Sequence, residues 1–322
     1  MVAADPPLAA PLAGVAGAPL VRRRGRLASL AALARPGQWT KCLLAVPLAL
    51  LDSPTWSLPA TARVAWAVLA FVLASSVVYV INDIGDREID RRHPVKRLRP
   101  IAADQVTVRA AGWFAAGLAL ALAAVLAAAS AIAWWPLFAY LVLNIVYSRW
   151  LKHIPLLDVF AVASGFVLRA VQGYVASGIP MSEWLLICVF SACLLLSLGK
   201  RRHELIATGG AHRPALTGYS VPLLDQLITL CAALTLTTCL LYLGTDAPPI
   251  SGGRIVLLVS VPCALFAVFR YLQTLWLEGG GGNPVGALVG DPVMVATFAV
   301  WTVAAGLAAL TDSHPALVSW LT

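Results

Sequence analysis

The sequence predicts an all-α, polytopic membrane protein, and two observations support that prediction. Of its 322 residues, 60% are hydrophobic and 12% are charged, whereas soluble domains carry roughly 25% charged residues. Apolar runs of about 18 residues or more recur along the chain, and a helix of that length crosses a bilayer whose hydrocarbon core is about 30 Å thick. The helices of a soluble all-α protein would need a polar face, which these runs lack.

The apolar runs number about nine and predict nine transmembrane helices. They lie near residues 42–58, 62–82, 106–130, 132–148, 157–178, 183–199, 222–245, 253–276 and 291–312. The residues before them, 1–34, are rich in Pro and Ala, carry an arginine cluster and show no evident cleavable signal peptide. We therefore expect a flexible basic arm over 1–34 and a single transmembrane domain over 35–322.

The basic residues predict which end of each helix faces the cytoplasm. One group occupies the N-terminal region and alternate connections, whereas the opposite side holds only Arg63 and Arg254. The first group is Arg22, Arg23, Arg24, Arg26, Arg35, Lys41, Arg87, Arg91, Arg92, Lys96, Arg97, Arg99, Arg109, Arg149, Lys152, Lys200, Arg201, Arg202, Arg213 and Arg270. Because cytoplasmic loops carry the excess of Lys and Arg, the N-terminus is expected inside and, after nine spans, the C-terminus outside.

The net charge of +8 therefore belongs mostly to one membrane face, where it suits contact with anionic lipid. No nucleic acid is expected as a partner, because no aromatic and basic recognition module accompanies the charge. The six cysteines all lie in or beside apolar segments, and none has CxxC spacing. They are interpreted as small buried hydrophobic residues, not as metal ligands or disulfides.

An acidic cluster follows the second apolar run, in the segment NDIGDREID of residues 82–90. Asn82, Asp86 and Asp90 are spaced by four residues, so they share one face of a helix, and Asp83 borders that face. Carboxylate and amide oxygens are the ligands that Mg²⁺ prefers, especially when the ion already carries substrate phosphates. The alternative is a solvated loop whose acids pair with Arg87, Arg91 and Arg92. The position at a membrane-span end favours the metal.

A basic loop comes next, HPVKRLRP at residues 93–100. Its two prolines end the helix and stiffen the chain. Lys96, Arg97 and Arg99 then present donors suited to phosphate oxygens. We interpret His93 as a residue of loop packing and not as a catalytic base.

Further polar residues recur at the cytoplasmic ends of the predicted helices. They are Arg35 and Lys41 before the first span, Asn144, Tyr147 and Lys152 after the fourth, Asp158, Arg169 and Gln172 in the fifth, and Lys200, Arg201 and Glu204 after the sixth. Arg169 lies eleven residues, roughly 16 Å, beyond Asp158 along a helix. An arginine at that depth faces a cavity or pairs with a buried acid. For the basic run at 200–202, a topology anchor is the alternative to a substrate site.

The segment NDIGDREID fits the pattern NDxxDxxxD and resembles the first signature of the UbiA-type intramembrane prenyltransferase superfamily. The resemblance covers nearly the whole chain past residue 35. It implies an all-α fold of about nine helices around a central cavity open to the cytoplasm, a multi-pass location in the inner (plasma) membrane, and Mg²⁺ as cofactor. It also implies a homo-oligomer, such as a trimer.

One departure from the superfamily pattern concerns the segment after the sixth span. Ordinary members carry a second aspartate cluster there, which helps to hold the metal and diphosphate of a prenyl diphosphate. This chain has GKRRHEL instead, with Glu204 as the single carboxylate. A basic segment at that place argues against an ordinary prenyl diphosphate donor.

The motifs RPGQWTK, the KRLRPIA continuation, GKRRHEL and HRPALTGYSVPLLD resemble those of the decaprenyl-phosphate phosphoribosyltransferase branch. That resemblance implies transfer of 5-phosphoribose from phosphoribosyl pyrophosphate (PRPP) to a polyprenyl (decaprenyl) phosphate, for cell-wall arabinan synthesis. Two alternatives stay open: a prenyltransferase acting on an aromatic or quinone-precursor acceptor, and a transporter of an anionic lipid or metabolite.

The branch resemblance also suggests a role for each candidate residue. Asn82, Asp83, Asp86 and Asp90 would hold Mg²⁺, and Asp86, Asp90 and Lys41 would act on the leaving pyrophosphate. The substrate phosphates would contact Lys96, Arg97, Arg99, Tyr147, Lys152, Asp158, Arg169, Lys200, Arg201 and Glu204. The Gly-rich loop at 278–292 is interpreted as a flexible connector, with a phosphate-contacting flap as the alternative.

Overall fold

The structure, a computed structural model, describes residues 25–43, 57–92, 95–209, 214–246, 253–277, 280–282, 286 and 290–313. Within these ranges the chain is helical and contains no strand. The helices are α1 (Arg26–Leu33), α2 (Thr40–Leu43), α3 (Leu58–Gly85), α4 (Arg87–Arg92), α5 (Val108–Ala128), α6 (Trp135–Arg149), α7 (Leu157–Ser177), α8 (Glu183–Thr208), α9 (Val221–Leu241), α10 (Gly253–Leu277) and α11 (Pro292–Ser313). The all-α membrane fold is therefore confirmed.

Eight of the nine predicted apolar runs coincide with helices. Six of these helices are long and apolar enough to cross a bilayer, namely α3, α5, α7, α8, α9 and α10. Helix α6 has 15 residues, and α11 has 22 residues, Pro292–Ser313. The first run, near 42–58, falls almost entirely outside the described residues, so a count of nine spans stays a prediction.

The helix ends follow local sequence signals. Ser57, Thr107, Ser182 and Ser220 each precede a long helix and accept a hydrogen bond from the backbone N–H three residues on. Such caps satisfy donors that the first turn leaves unpaired. Helices α7 and α8 end at Gly178 and Gly209, whose φ values of 76° and 58° are left-handed and suit glycine.

Neighbouring helices along the chain pack on one another from α6 to α11, and α3 packs against α5, α6 and α7. One apolar cluster joins α7, α8, α9 and α10 around Leu195, Ile228 and Leu275. A second joins α3, α5 and α6 around Phe71 and Leu137. Helix α7 lies between the two clusters, and thirteen of its 21 residues are buried. The fold therefore places the polar residues of α7 inside the bundle.

The N-terminal arm predicted over 1–34 ends earlier than its expected boundary. Residues Arg26–Leu33 form α1, and Leu33 is fully buried in a cluster with Val80 and Ile101. The apolar face of ASLAAL gives α1 a surface to bury against α3 and α5, which the composition of the arm obscured. This packing brings the following Arg35 to the end of α3.

Candidate functional site

The acidic cluster lies where α3 ends and the short helix α4 begins. Asp83 and Asp90 are 3% and 2% exposed. One nitrogen of Arg99, Nη1, lies 3.1 Å from Asp83 Oδ1 and 2.6 Å from Asp90 Oδ2. Arg35 Nη2 is 2.5 Å from the same Asp83 oxygen. Two arginines from distant segments therefore neutralise the two buried carboxylates and hold them together.

The other two members of the cluster face a different segment. Lys152, in the turn after α6, places Nζ 3.2 Å from Asp86 Oδ1. Ser148 donates a hydrogen bond of 2.9 Å to Asn82 Oδ1. The helix hydrogen bonds continue across the junction, from Asp86 N to Asn82 O and from Asp90 N to Asp86 O. Sequence spacing placed Asp83 at the border of the acidic face, whereas in the fold Asp83 and Asp90 form the buried pair and Asp86 is the more exposed.

The solvated-loop alternative describes a different acid. Glu88 is exposed and pairs with Arg87 and Arg91, and Arg91 also reaches Asp104. The pKa of Arg91 is raised by its hydrogen bond with Asp104. Such exposed pairs contribute little to stability, because solvent screens them. Arg87 and Arg91 therefore pair with Glu88 and not with the four predicted ligands.

The donor set of the cluster suits a hard divalent cation, since it consists of three carboxylates and an amide oxygen. Among the residues that the structure describes, however, no three His, Cys, Asp or Glu side chains are already grouped closely enough to hold a metal. Arg99 occupies the position between Asp83 and Asp90 that a cation would take. The residues fit Mg²⁺ in chemistry, and binding would require Arg99 to move onto an incoming anion.

The basic loop adds cations beside this cluster. Lys96 and Arg97 form a 3-10 turn, Lys96–Leu98, with Arg97 exposed and Lys96 half-buried. The structure thus separates the three predicted phosphate ligands, because Arg99 points into the acidic cluster and Arg97 does not. His93 lies outside the described residues.

A second charged group lies between the start of α7 and the end of α8. Asp158 is fully buried, and Arg201 is 5% exposed. Arg201 Nε lies 2.8 Å from Asp158 Oδ2, and its Nη1 contacts Glu204. The adjacent Arg202 pairs with Asp225 at 2.6 Å. Carboxylates of this chain thus hold both arginines in place. A basic run that only anchors the helix at the membrane surface would not need such partners.

Tyr219 completes this second group. Its hydroxyl donates to Asp158 Oδ1 at 2.7 Å and accepts from the N–H of Leu156 at 2.7 Å. Burial and the hydrogen bond to Asp158 raise the pKa of Tyr219 above that of an ordinary phenol. The side chain therefore stays protonated at physiological pH and fixes the carboxylate that orients Arg201.

A polar cavity of about 130 Å³ lies between α2, α3, α6 and α7. Its polar lining residues are Lys41, Tyr79, Tyr140, Asn144, Tyr147 and Arg169. Burial, and then the charges of Lys200, Arg169 and Arg35, lower the pKa of Lys41. Lysine and arginine charges thus act on one another across this space.

Arg169 is the deepest of these cations and is 7% exposed. It donates to Gly165 O at 2.8 Å, to the Tyr140 hydroxyl at 2.9 Å and to Ser75 Oγ at 3.3 Å. Its guanidinium carbon lies 4.5 Å from the centre of the Tyr140 ring and 5.3 Å from that of Phe166. The alternative of a buried acid partner for Arg169 is therefore wrong among the described residues, because Asp158 pairs with Arg201 instead.

Comparison with known proteins adds a family to this geometry. The sequence profile of the UbiA prenyltransferase family matches residues 42–281.

This chain belongs to the UbiA prenyltransferase family.

Two relatives are named decaprenyl-phosphate phosphoribosyltransferase. The protein from Mycolicibacterium smegmatis is 34% identical, over 83% of this chain and 88% of the relative. That from Corynebacterium glutamicum is 33% identical, over 83% and 82%. A UbiA homologue from Archaeoglobus fulgidus, solved bound to GPP and Mg²⁺, superposes with a TM-score of 0.65 at 20% identity and covers 87% of this chain and 99% of the homologue. The solved structure supports the fold.

Several residues of this UbiA family site were absent from the predicted set. Arg35 stood out in the sequence only as a basic residue before the first span, whereas it binds Asp83 and lies 4.9 Å from the centre of the Tyr79 ring. Tyr79, Tyr140 and Tyr219 look like packing residues in an apolar sequence. A buried tyrosine hydroxyl needs a hydrogen-bond partner. A tyrosine close in sequence to charged residues at a helix end is therefore the signal that could have identified them.

Proposed function

We propose that this UbiA family protein transfers 5-phosphoribose from PRPP to a polyprenyl phosphate and releases pyrophosphate. The observation that carries the proposal is Arg201, which is oriented by buried Asp158 where the superfamily pattern places a second acidic cluster. A fixed guanidinium suits phosphate oxygens and opposes a second metal. Relatives 33–34% identical carry the name of this activity, which supports the same donor and acceptor.

The acidic cluster is proposed as the pyrophosphate side of the site. Asn82, Asp83, Asp86 and Asp90 would hold Mg²⁺, which neutralises negative charge on departing pyrophosphate. Arg99 and Lys152 are held by these carboxylates at 2.6–3.2 Å. Their charges would turn toward phosphate oxygens as the donor enters, with Lys96 and Arg97 at the mouth.

The transfer needs no strong general base. A phosphate oxygen of the lipid, already an anion, attacks C1 of the ribose, while the bond from C1 to the pyrophosphate oxygen breaks and its electrons leave with pyrophosphate. In-line attack inverts the α anomer of PRPP to the β product. Arg201 and Lys200 are proposed to hold phosphate groups during this step. Catalysis is then mostly positioning and electrostatics.

The direct test is an assay of the purified protein in lipid nanodiscs with radiolabelled PRPP and decaprenyl phosphate. We expect a labelled lipid to form with Mg²⁺ and to be lost with EDTA. Alkylation of an aromatic acceptor by a prenyl diphosphate, with no labelled lipid from PRPP, would assign the chain to ordinary prenyl transfer instead.

Variants of the acidic cluster form the second arm of this assay. Asp86→Asn and Asp90→Asn remove one ligand charge each with little change of shape. We expect each to lower kcat/KM by about a hundredfold or more, a loss of about 2.7 kcal/mol of transition-state stabilisation. Glu88→Gln is the matched control, because Glu88 is exposed and pairs with surface arginines. Equal activity of Asp90→Asn and Glu88→Gln would remove the metal assignment.

A further inference from the structure

The polar cavity contains two cations without a carboxylate partner among the described residues. Lys41 and Arg169 both line it, together with phenols and the amide of Asn144, and no Asp or Glu within the described ranges forms an ion pair with either. The Nε of Arg169 is buried and has no hydrogen-bond partner. An ionised group at membrane depth is costly unless a charge of opposite sign meets it. The cavity is therefore electrostatically incomplete without an anion.

The missing anion differs from the one expected at the acidic cluster. Pyrophosphate that carries a metal is matched by carboxylates, and no carboxylate lines the cavity among the residues that the structure describes. Lysine, arginine and phenol donors match a phosphate that carries no metal. Two phosphate groups need not arrive with Mg²⁺, the 5-phosphate of PRPP and the phosphate of the lipid, and only the lipid phosphate carries an apolar chain that must stay in the membrane. Charge complementarity thus separates the pyrophosphate with its metal from a metal-free phosphate, and the surroundings of the cavity decide which metal-free phosphate it suits.

An apolar groove lies directly beside the cavity, on the outer surface formed by α6, α7 and α8. Its volume is about 750 Å³, within the range of about 300–1,000 Å³ usual for ligand sites. Its walls are Val142 and Leu143 of α6, Val167 and Leu168 of α7, and Ile187 and Phe190 of α8. Leu143 also lines the polar cavity. The cationic cavity and the groove therefore adjoin at Leu143, and the groove is open on the surface where a membrane lipid can enter sideways.

We propose that the cavity and the groove together form the acceptor subsite, with the phosphate monoester of a polyprenyl phosphate between Lys41 and Arg169 and its chain passing Leu143 into the groove of α6, α7 and α8. The polyprenyl identity of the chain rests on the proposed function. The phosphate would supply the counter-charge that Arg169 lacks, and the groove would bury apolar surface of the chain. The same arrangement keeps the acceptor apart from the metal and pyrophosphate at the end of α3.

The location is tested by photolabelling the full chain in nanodiscs, with a polyprenyl phosphate that carries a diazirine in its tail. Labelled peptides should map to α6, α7 and α8, and unlabelled decaprenyl phosphate should compete while the neutral alcohol decaprenol should not. Label on other helices would overturn the assignment. Label that decaprenyl phosphate fails to displace would make the groove a site of ordinary lipid. Label that appears in monomers and disappears in oligomers would assign the groove to a second copy of the chain. Each of these three results would overturn the proposal.

A tryptophan in the groove provides the kinetic test. Val142→Trp should raise KM for decaprenyl phosphate about tenfold, while KM for PRPP and for the short acceptor geranyl phosphate changes less than about twofold. Leu120→Trp is the matched control, because Leu120 is 73% exposed on α5, away from the groove, and Val142 is 60% exposed. Equal effects of the two variants would refute the assigned path.

The phosphate end is tested by Lys41→Ala and Arg169→Lys. Each should weaken competition by decaprenyl phosphate in photolabelling by about tenfold, with thermal unfolding used to confirm that the protein is folded. Unchanged competition in both folded variants would overturn the cavity assignment. Photolabelling requires no turnover, so specific label without transfer from PRPP would refute the proposed function and leave this site standing. Transfer from PRPP with label on other helices would support the proposed function and refute this acceptor site.

Discussion

At the scale of single residues, the site depends on charges that other charges hold in place. Arg201 and Asp158 are both buried and 2.8 Å apart. Removal of one partner from such a pair usually costs about 3–5 kcal/mol, because the other is left as an uncompensated buried charge. The sequence predicted both residues as substrate ligands, but their pairing needed the fold, since they are 43 positions apart. Lys41, by contrast, is a cation that its neighbours repel.

Lys41 predicts a pH dependence of acceptor binding. Burial, Lys200 and Arg169 lower its pKa below that of an ordinary lysine, so the ammonium is lost as pH rises through that lowered value. We expect KM for the lipid phosphate to rise on the alkaline side, at a pH below that at which ordinary lysines titrate. Lys41→Arg should abolish this rise, because guanidinium stays charged throughout. The measurement is a KM profile against pH for both proteins, and identical profiles would exclude Lys41 as the titrating group.

At the scale of elements, part of the Gly-rich stretch after α10 packs against α8. Its 3-10 turn, Gly280–Gly282, packs on α8 beside Gly199 and His203. A Cβ at Gly281 would lie 2.7 Å from the Gly199 carbonyl oxygen and 2.7 Å from His203 Cβ. Gly199 and Gly281 permit a close approach of two backbones next to Lys200. The sequence analysis interpreted 278–292 as a flexible connector, whereas residues 280–282 pack tightly on α8. Composition alone cannot distinguish a linker from a tight contact.

The contact predicts that Gly281→Ala destabilises the protein. The added methyl must displace the turn from α8, and overpacking of this kind costs about 1–3 kcal/mol. Gly117→Ala is the matched control, since Gly117 lies inside α5 with nothing within 4 Å of its added Cβ, and alanine is the better helix former. Thermal unfolding in detergent should show a lower Tm for the first variant and an equal or higher Tm for the second. Equal Tm values for Gly281→Ala and the parent would mean that the turn moves without cost.

At the scale of the whole molecule, the charged groups gather at one end of the bundle. The ends of α3, α6 and α8 and the start of α7 meet there through the pairs of Asp86 with Lys152 and of Asp158 with Arg201. Hydropathy predicted nine helices, and eight of them coincide with helices of the described residues, because a membrane helix must satisfy its own backbone hydrogen bonds within one segment. Helix neighbours could not be predicted in this way, since lipid-facing and buried apolar residues look alike in sequence.

The distribution of Lys and Arg predicts the orientation of the molecule in the membrane. Green fluorescent protein fused to the N-terminus should fluoresce, and alkaline phosphatase fused after residue 322 should be active, because the basic connections are retained in the cytoplasm. Phosphatase fused after Lys152 should be inactive, since that connection belongs to the cytoplasmic set. An inactive C-terminal phosphatase, paired with fluorescence of a C-terminal green fluorescent protein, would contradict an odd number of spans.

The sequence by itself determined the class of the fold, the segments that become helices and the family, because hydropathy and the NDIGDREID pattern are local properties. It also determined the chemistry near the helix ends, with acids at the end of α3 and in α4, and cations in the last turns of α8. Only the tertiary structure decided which charges meet: Arg35 and Arg99 bind Asp83, and Tyr219 and Arg201 bind Asp158. Arg169 binds the Tyr140 hydroxyl, with no acid beside it among the described residues. These partners lie between 16 and 61 positions apart in sequence, and helix packing brings them together.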